Sequence, residues 1–353
     1  MSQQIKDGES LALVLRLMPN MLNENNDQHN PDTERRIEVD QSNYSVIVNE
    51  RVIVKWLNVP LPEPHPGVRI LTHLDEVGYR EAPKLLSVET RNGLVYALIN
   101  EYLVGAVDGW DWCVNDLQRE LFGIIEPRFL QTAAQLGEMC ARLHVSLATP
   151  SALIRSPITQ IPISFERSRC QGVFDQAVNS ATGSAAIILQ KYEGDIRRVL
   201  SALDDIGDVT AIAVHGDLHV GQFLRTDQDL YITDFDGDPI GSLETCLLPR
   251  PAVVDVASLM QSIDHVGRVV IRREPTKRTT IESMLSKACD AMLATYCQTL
   301  RTAGKIDLID ERLLRTLRVA QELHEIAYAS TLLPEWIYVP EQSLPALFEQ
   351  GVG

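Results

Sequence analysis

Hydrophobic positions change period along the chain. Ser45-Val46-Ile47-Val48 and Val52-Ile53-Val54-Lys55-Trp56-Leu57, with Ile37 and Val39 before them, alternate like the strands of a hairpin. Residues 82–88 and 94–103 predict two further strands. Beyond them the spacing lengthens to three and four. Phe129, Leu130, Ala133, Leu136, Met139, Cys140, Leu143 and Leu147 predict an amphipathic helix over 128–147. Similar patterns predict helices over 183–203, 280–303 and 310–333, and a short buried strand over 210–214. Near the N-terminus, residues 5–22 read as a helix interrupted at Pro19, followed by a polar loop over 23–36. A helix over 65–77 accommodates Pro66 in its first turn. Residues 149–165 read as a loop rich in Pro and Ser.

These elements predict a short N-terminal helix and loop over 1–36, a small sheet domain over 37–101, and a mainly helical domain over 102–353. The class is α+β. At 353 residues the chain is long enough for two separate cores.

Two segments between the helical stretches carry the chemistry. The first is His215-Gly216-Asp217-Leu218-His219-Val220-Gly221-Gln222, and the second is Tyr231-Ile232-Thr233-Asp234-Phe235-Asp236-Gly237-Asp238. Phosphoryl transfer from ATP needs a carboxylate that accepts the proton of the attacking hydroxyl. It also needs oxygen ligands for a metal that neutralises the phosphates. Asp217 offers the carboxylate, Gln222 an amide oxygen five residues on, and Asp234 a second carboxylate at the end of an apolar run. The order parallels that of protein kinases: H-x-D, an amide five residues later, then a strand ending in D-F. Two solvated hairpin turns are the plain alternative, but they explain neither the doubled histidine nor the amide.

Composition narrows the partners. With 32 basic and 48 acidic residues the net charge is −16, a field that repels nucleic acid and ATP alike. A nucleotide site therefore needs local positive charge, and Lys55, set in an apolar strand, requires an anionic partner unless it snorkels from an edge. A cationic acceptor is weakly favoured. The six cysteines form no C-x-x-C pair and are expected to be reduced. The N-terminal residues lack a basic start with an apolar core, and no apolar run spans a bilayer, so the expectation is a cytoplasmic protein without a membrane partner.

The two segments resemble the aminoglycoside phosphotransferase-like kinases, which share the bilobal protein-kinase-like fold. His-Gly-Asp-Leu-His-x-Gly-Gln continued by Asp-Phe-Asp-Gly-Asp-Pro looks most like the actinobacterial maltokinases and glucosamine kinases. The resemblance runs over roughly 37–345. It implies ATP and Mg²⁺, with Asp217 as catalytic base, Gln222 and Asp234 as metal ligands, and Asp236 as a further ligand. It places Lys55 on the ATP phosphates, and Ser42, Asn43 and Ser45 in the phosphate-covering loop. Glu101 and Leu103 fall at the adenine-binding hinge. Maltokinases carry a larger N-terminal cap, of which residues 1–36 would be a remnant.

Kinases usually hold this lysine with an acid on the next helix. Here Arg69 takes the place where the family often has an acid, leaving Asp75 or Glu76 as substitutes. In Asp108-Gly109-Trp110-Asp111-Trp112 the tryptophans either stack on a sugar or pack in a core. Asp255 either caps its helix or, as the family implies, braces the catalytic loop. His144 reads as a satisfied core histidine. The segment Gln321-Glu322-Leu323-His324-Glu325, with Trp336 beyond it, resembles the glucosamine-kinase branch. It implies an acceptor site of Glu322, Glu325 and Trp336, with His219 touching the acceptor or bracing Asp217.

The expected function is therefore ATP-dependent phosphorylation of an amino sugar, most simply glucosamine, by a monomer or homodimer. The alternatives are maltose or another neutral saccharide, or an aminoglycoside. A catalytically silent relative is the reading motivated by Arg69 and the glycine-poor phosphate loop.

Overall fold

The computed structural model describes residues 8–19, 33–37, 43–237 and 243–349. It opens with α1 (Glu9–Leu17), β1 (Glu34–Arg36), β2 (Tyr44–Val48), β3 (Val52–Pro62), α2 (Pro66–Glu76), β4 (Leu85–Arg91) and β5 (Leu94–Glu101). Next come α3 (Gly109–Leu121), α4 (Phe129–Leu147), β6 (Thr159–Pro162), α5 (Ser164–Ser180), α6 (Gly183–Ser201) and β7 (Asp208–Ala211). The short strands β8 (Phe223–Arg225) and β9 (Leu230–Ile232) precede α7 (Leu243–Cys246) and α8 (Val253–Arg273). The chain continues through α9 (Arg278–Thr302), α10 (Leu314–Thr331) and α11 (Tyr338–Glu349). Two compact units result. The first takes residues up to Val107, with Ser151–Arg155 and Phe223–Leu247, and the second takes the remainder.

The first unit is built on an antiparallel sheet in the order β1-β2-β3-β5-β4. One face carries Val46, Val48, Val54, Trp56, Ala97 and Ile99, and α1 covers it with Leu13 and Val14. Burying each of those two side chains contributes about 1.5–3 kcal/mol. The Trp56 indole donates to Ser10 Oγ at 2.9 Å, which fixes the docking of α1. The other face gathers Leu57, Val95 and Leu98, with Val68 of α2 against them.

This unit is wider than residues 37–101. The β8–β9 hairpin joins it: Val107 exchanges backbone bonds with Arg225, and the Ile232 N–H donates to Glu81. Of the expected first strand, Ile37 follows β1, which lies at Glu34–Arg36 and pairs with Val46–Val48, and Val39 lies outside the described residues. An exposed edge strand shows no apolar alternation, so its residues read as loop.

The second unit is a helical assembly. Its tightest seam joins α4 to α9, where a Cβ at Gly137 would overlap the Met292 carbonyl. The α8 helix is buried on nearly every face. Three helices escaped the periodicity reading. In α5 the buried seam is Glu166, Cys170, Phe174 and Ala177, so an acid interrupts the apolar stripe. Its charge is neutralised by a bidentate pair with Arg250, at 2.9 and 2.8 Å. α11 contains Pro345, and α3 hides in the Trp-rich stretch after Asp108. Among the described residues no helix is long and apolar enough to cross a membrane.

Candidate active site

In the second unit a buried carboxylate braces the start of the loop His215–Gln222, and the Val220 N–H donates to Ser262 Oγ at 3.0 Å further on. Asp255, in the first turn of α8 and fully buried, accepts the His215 N–H at 2.8 Å and the Gly216 N–H at 2.9 Å. It also accepts His144 Nε2 at 3.0 Å, and His144 Nδ1 meets the Tyr296 hydroxyl at 2.7 Å. Burial alone would raise the Asp255 pKa. The His144 hydrogen bond, the His144 and His215 rings and the Gly216 N–H outweigh it and hold the carboxyl below its usual range. Of the two roles open to Asp255, bracing the loop is the one observed. His144 is the satisfied core histidine expected.

Within the loop, Gly221 donates to His219 Nδ1 at 3.1 Å, so a neutral His219 carries its proton on Nε2. That Nε2 stands 3.2 Å from Gln222 Nε2 and 3.9 Å from Asp217 Oδ2. Turning the Gln222 amide by half a rotation leaves its shape unchanged and gives the histidine an acceptor oxygen. The oxygen retains a second lone pair for another ligand. Asp217 keeps about a quarter of its side chain exposed, as a reacting carboxylate requires.

Trp110 stacks on His219, with centroids 5.9 Å apart, and meets Trp336 edge-on at 5.4 Å. A Cβ at Gly221 would stand 2.6 Å from the Trp110 ring, so glycine is required for the indole to lie against the loop. Trp112 is core, only 2% exposed. The pentapeptide thus divides: one tryptophan packs inward and the other joins the loop. Stacking on a sugar was one of the two readings open to Trp110. Its signal was the Asp108 cap, whose side chain accepts the Trp110 N–H at 2.8 Å and starts α3 there.

Trp336 also meets His265 edge-on at 6.3 Å. His265 Nε2 lies 2.7 Å from Glu322 Oε1, and both side chains are buried. Burial opposes charge on His265, but Glu322 beside it pushes its pKa up to about 9. Burial lifts Glu322 above the ordinary carboxylate value against the pull of His265. Glu322 is also bonded by Gln261. Glu322 and Glu325 therefore differ: the first is spent within the core, whereas the second is half-buried and, among the described residues, accepts only Gln321, at 3.2 Å.

In the first unit Lys55 sits mid-sheet, opposite Ser45 on β2 and Leu98 on β5. Ser45 therefore shares its face. The ammonium contacts Asp234 Oδ1 at 2.5 Å and Asp236 Oδ2 at 2.7 Å. Burial disfavours the charge, but the two carboxylates outweigh it and hold the Lys55 pKa above its usual value. Asp234 has φ 62°, a left-handed conformation uncommon outside glycine.

The anion on Lys55 is thus supplied by the Asp-Phe-Asp turn. The expected substitutes on α2 are engaged elsewhere: Asp75 pairs with Arg80 at 3.0 Å, and Glu76 accepts the Leu153 N–H at 3.0 Å. Asn43 accepts from the Asn58 N–H at 3.4 Å, and Ser42 lies outside the described residues. At the end of β5 the Glu101 N–H donates to Lys84 O, and the Leu103 carbonyl accepts Ala106 N–H.

The donor chemistry suits a hard cation. Asp234 and Asp236 in the first unit, and separately the Gln222 amide in the second, are oxygen ligands of the kind Mg²⁺ takes. Among the described residues no group of three or more His, Cys, Asp or Glu is placed to hold a metal by itself.

No protein-family model matches the chain. A glucosamine kinase of Streptacidiphilus jiangxiensis is 38% identical over 327 residues, covering 90% of this chain and 74% of that protein. Another from Mycolicibacterium smegmatis is 32% identical over 326 residues, covering 90% of this chain and 80% of that one. A solved glucosamine kinase in complex with glucosamine, ADP and inorganic phosphate aligns with TM-score 0.80 at 35% identity. It covers 90% of this chain and 80% of that one. The expected kinase-like α+β fold stands. Identity at this level across nine-tenths of the chain makes this protein a member of the glucosamine kinase family.

Proposed function

We propose that this protein transfers the γ-phosphoryl group of ATP to a hydroxyl of glucosamine. The observation that carries the reading is the agreement of two relatives named glucosamine kinases over 90% of the chain. The loop supports it, because Asp255 clamps the backbone of His215 and Gly216 and so fixes where Asp217 begins.

Asp217 accepts the hydroxyl proton as the oxygen attacks. His219 orients the Gln222 amide through Nε2, and the Trp110 indole holds the ring of His219 in place. Lys55 offers its ammonium to the nucleotide phosphates, with Asn43 and Ser45 on the neighbouring strand and turn. Gln222, Asp234 and Asp236 would hold Mg²⁺, which neutralises phosphate charge when bound. Trp110 and Trp336 form an aromatic corner suited to one face of a sugar ring. Glu325, half-buried on α10, is the carboxylate for the sugar ammonium, and Glu322 supports Trp336 through His265. An enzyme that consumes ATP is expected in the cytoplasm, as a monomer or homodimer.

The test is coupled ADP release over glucosamine, glucose, maltose and kanamycin. Glucosamine should give the highest kcat/KM. Glu325→Gln should lose glucosamine turnover while nucleotide binding persists. Faster turnover of maltose or kanamycin reassigns the acceptor. Nucleotide-dependent thermal stabilisation with no ADP release from any acceptor sinks the enzymatic reading.

A further inference from the structure

In this chain α2 brings no acid to the strand lysine. Arg69 stands where an acid is common, and Asp75 and Glu76 are bonded to Arg80 and Leu153. Lys55 is nevertheless paired twice, and its two partners differ. Asp234 is 44% exposed and Asp236 is 24% exposed. Asp236 is also confined. A Cβ at Gly67 would overlap its Oδ1, and His65 Nδ1 stands 3.9 Å from the same oxygen.

Gly67 lies in the first turn of α2 and has no left-handed φ that would demand glycine. A glycine in a helix costs about 0.5–1 kcal/mol relative to alanine. What it provides here is room for the Asp236 carboxylate beside the positive end of the helix. His65, the cap residue, is 1% exposed, and among the described residues neither ring nitrogen has a hydrogen-bond partner. Its ring stands against that carboxylate.

We propose that Asp236, seated against Gly67 at the start of α2, is the positioning residue that holds Lys55 for the nucleotide, in place of an acid carried by α2. The inference rests on the kinase reading above. It makes Gly67 a functional position: α2 and Lys55 are linked through Asp236 rather than by a side chain from the helix. Movement of the α2 N-terminus is then transmitted to the ammonium.

The test has a kinetic and a structural arm. Gly67→Ala should lower kcat/KM for ATP by about 10- to 100-fold, in line with displacing a positioning group by an ångström. The KM for glucosamine should stay near wild type, and saturating Mg²⁺ should not restore the loss. In the metal-free, nucleotide-free protein, Gly67→Ala and Asp236→Ala should both speed amide hydrogen exchange over residues 67–70. If Gly67→Ala does not fold, Asp236→Ala, which adds no atoms, carries both expectations alone. Wild-type kinetics with unchanged exchange overturns the proposal. So does a loss fully reversed by Mg²⁺, which would leave Asp236 a metal ligand only. A wild-type enzyme silent toward every acceptor contradicts the functional reading instead, and the exchange arm then judges Asp236 separately.

Discussion

Replacing Asp255 should loosen the catalytic loop and the helical unit together, by amounts the hydrogen bonds set. Its two oxygens receive three donors: the N–H groups of His215 and Gly216 and Nε2–H of His144. Asp255→Ala leaves all three buried without an acceptor. Each buried donor left without an acceptor in this way costs about 1–3 kcal/mol. Asp255→Asn should cost less. One amide oxygen still accepts Gly216, and His144 can move its proton to Nδ1 and accept from the new amide. The Tyr296 hydroxyl, kept neutral by burial, only has to turn from donor to acceptor. The remaining orphan is the His215 N–H, a loss of about 1–3 kcal/mol.

Denaturant unfolding of the three proteins checks the order wild type, Asn, Ala. Acid adds a sign. Asp255 has a folded pKa below its unfolded value of about 3.9. Its stabilisation is complete above that value and is lost as pH falls through the folded value. Wild type should therefore lose more stability than Asp255→Asn as pH falls below about 4. An Ala variant within about 1 kcal/mol of wild type, or an unchanged acid slope in both variants, would refute the reasoning.

Asp217→Ala should abolish ADP release while ATP still protects the protein against melting; near-wild-type turnover would remove Asp217 from the chemistry. Trp110→Ala and Trp336→Ala should each raise the KM for glucosamine about tenfold or more, 1.4 kcal/mol per factor of ten, with the KM for ATP unchanged. Equal effects on both KM values would instead indicate a general packing role. His265, raised to about 9 by Glu322, stabilises the fold fully below its unfolded pKa of about 6.5. That contribution should fade as pH rises through 9, and the fade should vanish in Glu322→Gln when melting is followed from pH 6 to 10. Gly137→Ala should cost about 1–3 kcal/mol in denaturant, because its Cβ meets the Met292 backbone.

The sequence was most legible where chemistry and period coincide. Lys55 stood out because a lone cation in an apolar strand needs a counter-charge. The helix over 128–147 was readable because its stripe is unbroken by charge. Legibility failed where tertiary pairing rewrites local signals. The stripe of α5 contains Glu166, acceptable only because Arg250, distant in sequence, neutralises it. Strand β1 is polar because one side faces no core. Asp236 read as a metal ligand, and its seat against Gly67 is visible only once α2 and the Asp-Phe-Asp turn are folded together. Glu322 and Glu325 share a helical face by spacing, yet His265 on another helix takes one and leaves the other.

The most direct measurement is the identity of the product. Wild-type protein incubated with ATP, Mg²⁺ and glucosamine should yield a phosphorylated amino sugar, seen as a new phosphate ester by ³¹P NMR and a matching mass, in step with ADP. Asp217→Ala should yield none. ADP without a sugar phosphate, or the ester formed equally by the variant, would contradict the account.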